Sequence, residues 1–375
     1  MTWMRLLPWR FLVRRVARKK GFLDPIALMA RLQSFAQPSE VGEPIELLRA
    51  GAVFHARGLI NSRVIQHNLD WVWPYWTERQ FDPNDESFIP RAFSITHVNL
   101  SHRNWTAIGH PDCDELPIVD PRGLLTPFLD GWSLDGWLLA EDGRCLLPSR
   151  AASARQHQEM DAGVRVVTAT EMDGLALTAS AWVEIESGIP TCKLRLQARA
   201  ETRAWLVLAL RPQNPEGVSL VNRVRLARGR DAWTIDDRQR VEFSAPAERH
   251  HVSDYAQGDV YIHLKDSTDQ VEGRCELGML TAAALFKIQP GTETELTASI
   301  PLAADVATEL VADAWDSERR GRCRLVCPDP HYQFLYDAAV TSLILHSPDD
   351  VYPGPYTYKR FWFRDAAFII HALLC

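Results

Sequence analysis

Residues 175–185 read LALTASAWVEI, and apolar and polar side chains alternate along most of this stretch. Alternation with a period of two predicts a β-strand with one buried face. Residues 192–198, CKLRLQA, show the same alternation. The turn pair Ser187-Gly188 lies between the two stretches, so this part of the chain predicts antiparallel strands.

The same pattern continues on both sides of these strands. Three further stretches alternate, and two apolar runs are typical of central strands. The alternating stretches are residues 93–100, 164–170 and 221–226, and the apolar runs are residues 205–210 and 280–286. Many strands without regular helical crossovers favour a mainly β fold, here a large antiparallel β-sandwich over residues 52–302.

A basic, amphipathic helical leader is predicted for residues 1–51. Its first helix begins near Pro8. Residues 1–20 contain seven basic side chains and no acidic one. Such a helix can pack on an acidic surface, which we favour, contact a membrane peripherally, or act as a transit peptide. Two short helices are predicted next, one after Asp24-Pro25 and one from Pro44 that ends before Gly51.

The composition excludes several classes of function. A hydrophobic share of 46% and a charged share of 24% are typical of a globular protein, and the net charge of −7 disfavours nucleic acid as a partner. No apolar run approaches the roughly 20 residues of a membrane span, and the start does not read as a secretory signal because charges interrupt it, so the cytoplasm is the expected location. Seven scattered cysteines form no disulfide framework. The sequence predicts no metal and no cofactor, since it lacks a phosphate-binding glycine loop and zinc-ligand spacing.

The strand pattern stops near residue 303. A linker helix is predicted within residues 303–329, and a second helix begins at Pro330. The loop Pro353-Gly354-Pro355 follows, and an apolar helix runs from Trp362 to the last residues. Because the sequence stops within that helix, residues 330–375 are expected to be the start of a truncated helical domain.

The segment YPGPYTYKRFWFRDAAF, residues 352–368, resembles the first hairpin of the six-hairpin α/α barrel of glucoamylases and glycogen-debranching (amylo-α-1,6-glucosidase-like) glycosidases. In that family an aromatic-x-Arg-Asp motif opens an inner helix after a loop rich in Gly, Pro and aromatic residues. The resemblance implies that Arg364 and Asp365 hold sugar hydroxyls and that Trp362 or Tyr358 forms a stacking wall. The alternative is an Arg-Asp ion pair at a helix start.

Glycoside hydrolysis needs two carboxyl groups, one on each side of the scissile bond. Three acidic clusters are candidates for such a pair, namely residues 112–115, 236–237 and 349–350. Each is interpreted as an ordinary loop or turn. The resemblance places the acid and base after Cys375, so no catalytic residue is expected in this chain and the chain alone is expected to be inactive.

Two other groups of residues have open interpretations. Four aromatic residues, Trp71, Trp73, Tyr75 and Trp76, either stack on a glycan or, as we favour, pack between segments of the chain. His250-His251 is interpreted as a polar loop rather than a metal site.

The combined hypothesis is that this chain forms the sandwich and first barrel hairpin of a glycoside hydrolase that acts on α-glucans or related oligosaccharides. The expected partner is therefore a carbohydrate. The alternative is a carbohydrate-binding or scaffold protein without catalysis.

Overall fold

The computed structural model describes residues 45–88, 105–111, 113–160, 163–303, 314–320, 323–348, 350–355, 359 and 361–374. The helices predicted before residue 44 and the strand predicted at residues 93–100 lie outside these ranges. The chain divides into two units, Met1–His67 with Ala92–Val98, and Asn68–Arg91 with Asn99–Cys375.

The described part of the first unit is one helix, α1 (Ile45–His67). The prediction that this helix ends before Gly51, with strands from residue 52, is therefore wrong. A glycine inside a helix costs about 1 kcal/mol relative to alanine, which favourable helix formers on both sides can offset. The helix ends at His67, sixteen residues after Gly51, and a turn follows at residues 68–71.

The second unit contains a β-sandwich, as the sequence predicts. The strands are β1 (Thr106–Ala107), β2 (Ile118–Val119), β3 (Leu125–Thr126), β4 (Ser133–Ala140), β5 (Cys145–Leu146), β6 (Arg155–Glu159), β7 (Arg165–Met172), β8 (Leu175–Glu186), β9 (Ile189–Ala200), β10 (Ala204–Arg211), β11 (Gln213–Asn214), β12 (Gly217–Val218), β13 (Arg223–Leu226), β14 (Ala232–Ile235), β15 (Gln239–Phe243), β16 (Arg249–Ser253), β17 (Glu272–Arg274), β18 (Thr281–Ile288) and β19 (Glu293–Pro301).

These strands form two large antiparallel sheets and one small one. The first sheet has the order β1-β2-β3-β4-β10-β18-β16, with β5 beside β4. The second has the order β17-β13-β14-β15-β19-β9-β8-β7-β6, and β11 pairs with β12 alone. The strand stretches predicted between residues 164 and 286 all fall on strands of these sheets.

The two large sheets pack face to face. A Cβ added to Gly136 of β4 would lie 2.8 Å from Cδ2 of Leu196 in β9, so the sheets meet closely at this glycine. Further along, Phe243 of β15 and Phe286 of β18 form an edge-to-face ring pair with centroids 6.0 Å apart. The interior of the sandwich is therefore a core built from both sheets.

The β8–β9 hairpin shows why the local sequence sets the register. Its two turn residues, Ser187 and Gly188, have φ values of 54° and 80°. Two consecutive left-handed residues match the twist of the flanking strands, and this turn pairs Glu186 with Ile189.

The outer face of the first sheet is covered as well. Val72, Trp137, Trp205, Val207 and Leu264 belong to one cluster of buried apolar residues on this face. The segment before the first strand and connections between strands, including a 3-10 helix at Val260–His263, supply this cover. Strands β4 and β10 are consequently buried along their whole length.

Four helices of the second unit complete the described structure. They are α2 (Tyr75–Arg79), α3 (Ala314–Arg319), α4 (Pro330–Leu345) and α5 (Phe363–Leu373). Helix α3 lies in the predicted linker, whose residues 304–313 are outside the description. Helices α4 and α5 follow the sandwich, as the sequence predicts. Within the described ranges, no helix combines the length and apolar character needed to cross a membrane.

Candidate functional site

Helix α4 begins where the sequence places it and ends in the protein interior. The side chain of Asp329 accepts a hydrogen bond of 2.8 Å from the backbone N–H of His331, and Pro330 occupies the first helical position. Both features satisfy or remove free N–H groups of the first turn. Thr341, Ile344 and Leu345 are buried at the C-terminal end, which fixes the start of the following loop.

Helix α5 carries the predicted Arg-Asp pair in its first turn. Trp362 is the N-cap residue but provides no side-chain hydrogen bond, and its carbonyl accepts the N–H of Ala366 at 2.8 Å. Arg364 and Asp365 are thus the second and third residues of the helix. Ala366 is buried, so this turn is held against the protein while its neighbours face outward.

Arg364 and Asp365 make a loose ion pair with Nη2 and Oδ2 3.7 Å apart. The Arg364 side chain is 84% exposed and that of Asp365 is 32% exposed. An exposed pair at this distance stabilises a protein little. A positive charge at the second position of a helix also opposes the helix dipole, whereas Asp365 suits it. The geometry therefore gives Arg364 no evident stabilising role and leaves its donors available.

Aromatic side chains surround the start of α5. Trp362 is 38% exposed, and the exposed rings of Phe361 and Phe363 meet edge to face with centroids 5.1 Å apart. Tyr358, the other predicted stacking residue, lies outside the described residues. An accessible indole beside a carboxylate and a guanidinium offers both the apolar and the polar contacts that a sugar ring requires.

A cavity of about 330 Å³ lies beside the loop that leads towards α5. Pro353, Gly354 and Pro355 line one side, and Trp105 and His346 line others. The backbone N–H of Tyr352 donates to the carbonyl of His346 at 2.8 Å, which ties this loop to the end of α4. Among the described residues that line the cavity there is no Asp or Glu.

Burial lowers the pKa of His346 to about 4, so its imidazole is neutral at neutral pH. Its Nε2 atom is buried and has no hydrogen-bond partner within the described part of the chain. The His346 ring lines the cavity, but this nitrogen is enclosed in the cavity wall.

The aromatic cluster of residues 71–76 is part of the protein interior. Trp71, Trp73 and Trp76 are buried, and the Trp71 and Trp73 rings stack with centroids 5.9 Å apart. The Arg122 guanidinium covers the ring of Tyr75 at 4.3 Å. The burial of the three tryptophans fits packing, the interpretation favoured from the sequence, and does not fit glycan stacking, since a sugar needs an accessible ring face.

A buried ion pair holds this cluster in place. Arg211 and Asp259 are both fully buried, and their side chains form two hydrogen bonds of 2.5 and 2.7 Å. Asp259 also accepts the N–H of Val72 at 2.8 Å, and Arg211 donates to the carbonyl of Val72 at 2.8 Å. No sequence motif indicated this pair. The sequence feature that could have indicated it is Arg211, which directly follows the apolar run of residues 205–210 and continues the buried strand.

The acidic turn at residues 236–237 is structural. Both aspartates have positive φ values, and Asp236 accepts the N–H groups of Asn222 and Arg223 at 2.9 and 2.7 Å. Asp237 pairs with Arg223 at 2.9 Å. Asp112 and Asp349, from the other two acidic clusters, lie outside the described residues.

The histidine pair is not a polar loop, so that prediction is corrected. His250 and His251 lie on the buried strand β16, and Nε2 of His250 accepts a hydrogen bond of 2.7 Å from the Trp233 indole. Burial lowers the pKa of His250 to about 4. A neutral ring in an apolar core needs such a partner. Within the described ranges, no three His, Cys, Asp or Glu side chains cluster as metal ligands do.

No protein-family model matches the sequence, and no curated protein matches it. Solved structures overlap with this one, and two of them serve as examples. A bacterial glucoamylase complexed with acarbose has a TM-score of 0.41 and 9% identity over 65% of this chain and 36% of its own. A putative kojibiose phosphorylase from human microbiome has a TM-score of 0.29 and 8% identity over 63% of this chain and 35% of its own. The chain thus spans little more than a third of each of these proteins.

Proposed function

We propose that this chain forms the β-sandwich and first helical hairpin of a glycoside hydrolase of the glucoamylase or debranching type, which acts on α-glucans or related oligosaccharides. The observation that carries the proposal is the Arg364-Asp365 pair. It lies in the first turn of a helix, beside accessible aromatic rings, after a Pro-Gly-Pro loop and a large antiparallel sandwich.

The chemistry of this turn suits recognition of a neutral polyol. A carboxylate accepts hydrogen bonds from two hydroxyl groups, and a guanidinium donates through a rigid planar fork. The weak pairing of Arg364 with Asp365 leaves both groups able to exchange their contact for a ligand. Trp362 would then contact the apolar face of the ring.

The proposal assigns no catalytic acid or base to the described residues. Glycoside hydrolysis with retention of configuration and hydrolysis with inversion both require two carboxyl groups, about 5–9.5 Å apart. Asp365 is a single carboxylate in its turn, and the acidic residues 236–237 are engaged in a surface turn. Hydrolysis of maltooligosaccharides by the purified chain would contradict this part of the proposal. A carbohydrate-binding protein without an enzymatic parent is the alternative.

We also place the chain in a reducing compartment such as the cytoplasm. The six cysteines that the structure describes are free thiols, and three of them, Cys113, Cys192 and Cys275, are buried. This arrangement suits an environment in which disulfides do not form.

The decisive experiment is a binding titration of the purified chain with maltose and longer maltooligosaccharides, followed by tryptophan fluorescence. Asp365→Ala should weaken binding at least tenfold, which corresponds to about 1.4 kcal/mol. The matched control is Asp316→Ala, which removes an exposed aspartate from the first turn of α3. Equal affinity of the Asp365→Ala variant and the unmodified chain would refute the assigned role of this turn.

A further inference from the structure

The cavity of about 330 Å³ is built jointly by the sandwich and the helices. Thr106 comes from β1 and Gln158 from β6, whereas Ser342 lies on α4 and His346 follows it. The loop at Pro353–Pro355 completes the wall. Sites for small molecules commonly have volumes of roughly 300–1,000 Å³, so the space is sufficient for a small ligand.

The lining of the cavity is neutral. None of the described residues around it is Asp, Glu, Lys or Arg, and His346 is uncharged because burial lowers its pKa to about 4. A charged ligand would gain no opposite charge from the described residues here. The cavity therefore discriminates against ions and favours an uncharged ligand.

Several polar groups are nevertheless directed to this space. The Gln158 amide donates to the Thr106 hydroxyl at 3.2 Å, and an amide has a second N–H and a carbonyl oxygen for further bonds. A purely apolar ligand would leave such groups unsatisfied, which costs about 1–3 kcal/mol for each.

The remaining wall is apolar and partly aromatic. Trp105, Met160, Val164 and Leu345 contribute hydrophobic surface, and the two prolines of the loop add rigid rings. A ligand that fits must therefore combine an apolar face with hydroxyl groups around its edge. Pyranose rings have this combination, because their axial C–H groups form an apolar face and their hydroxyls project outward.

We propose that this cavity is a second saccharide subsite, which binds one neutral sugar ring through contacts separate from those assigned to Arg364 and Asp365. The choice of a sugar rests on the function proposed above, whereas the preference for a neutral ligand rests on the lining alone. Because both the sandwich and α4 contribute residues, the subsite makes the sandwich a participant in recognition.

The test measures binding of maltose, methyl α-glucoside and glucuronate by calorimetry to the unmodified chain, to Asp365→Ala and to four further variants. Gln158→Ala removes the amide from the cavity, and Gln156→Ala is its control on the same face of β6, where Gln156 bonds to Asp120 and Thr168 instead. Ser342→Leu fills the mouth from an exposed position of α4, and Ala339→Leu is its control one turn earlier.

The proposal expects Gln158→Ala and Ser342→Leu to bind the neutral sugars at least tenfold more weakly. The controls Gln156→Ala and Ala339→Leu should bind them as the unmodified chain does. Glucuronate should bind more weakly than methyl α-glucoside. Binding that is lost in Asp365→Ala but unchanged in both cavity variants would overturn the second subsite and leave the proposed function intact. Binding lost only in the cavity variants would support this subsite and count against the Arg364-Asp365 role. Absence of saccharide binding altogether would overturn both.

Discussion

Replacement of Asp259 by alanine tests how the aromatic segment of residues 71–76 is held. Asp259 is fully buried, and its carboxylate is the partner of the Arg211 guanidinium. It also accepts the backbone N–H groups of Val72 and Tyr261 at 2.8 and 3.1 Å. Asp259→Ala therefore removes one side chain and leaves three groups without their acceptor.

The expected loss of stability is about 3–5 kcal/mol, the usual effect of leaving one member of a buried ion pair uncompensated. The two backbone N–H groups would add about 1–3 kcal/mol each if they stayed buried without an acceptor. The segment of residues 71–76 can instead move out to water, which would limit the loss towards the lower value. A loss of this size is a large part of the 5–15 kcal/mol that stabilises a typical domain.

Urea unfolding followed by circular dichroism measures the loss, and tryptophan emission reports the segment itself. Since Trp71 and Trp73 are almost completely buried, their release should shift the emission to longer wavelength before global unfolding. The control is the double variant Arg211→Met with Asp259→Leu, which removes both charges and should be markedly more stable than Asp259→Ala. A loss below 1 kcal/mol for Asp259→Ala, with unchanged emission, would refute the assigned role of the pair.

Two more predictions concern the sandwich. Burial raises the pKa of Asp120 to about 7 and that of Asp135 to about 6, so the folded state holds protons that the unfolded state releases near pH 4, and the contribution of these two groups to stability should be lost as the pH rises from about 4 to 7. The buried His250 and His346, with pKa values lowered to about 4, contribute with the opposite sign, so the test is the difference between Asp120→Asn and the unmodified chain in a pH series of urea titrations; the two curves will run parallel if Asp120 titrates normally. Gly136→Ala should destabilise the protein by about 1–3 kcal/mol, because the new methyl group would lie 2.8 Å from Leu196 across the sandwich, and an unchanged thermal midpoint would show that Leu196 moves aside freely.

The strands were predictable because their signal is local. The alternation of residues 175–185 and the turn at Ser187-Gly188 are present in short windows, and β8 and β9 follow them within a few residues. The start of α4 was predictable for the same reason, since Asp329-Pro330 is a local cap signal. The predicted end of a helix before Gly51 failed, because one glycine is a weak signal against a long helical segment.

The features around the candidate sites depend on distant parts of the chain. Arg211 and Asp259 are 48 residues apart, and each is an ordinary charged residue until the fold brings the two together. The cavity collects residues from near positions 106, 158, 346 and 354, and only the last of these belongs to a motif that the sequence shows. The Arg364-Asp365 motif was visible in the sequence, but the exposure and loose pairing of its side chains required the structure.

The attachment of the aromatic segment also has a consequence for synthesis of the chain. Val72 bonds to Asp259, which follows it by 187 residues. At about 5–20 residues per second, the ribosome needs about 10–40 s to make the intervening chain. For that time Trp71, Trp73 and Trp76 have left the ribosome without the groups that later enclose them. A nascent chain of this protein should therefore be a substrate for chaperones that bind aromatic segments, until residue 259 has emerged.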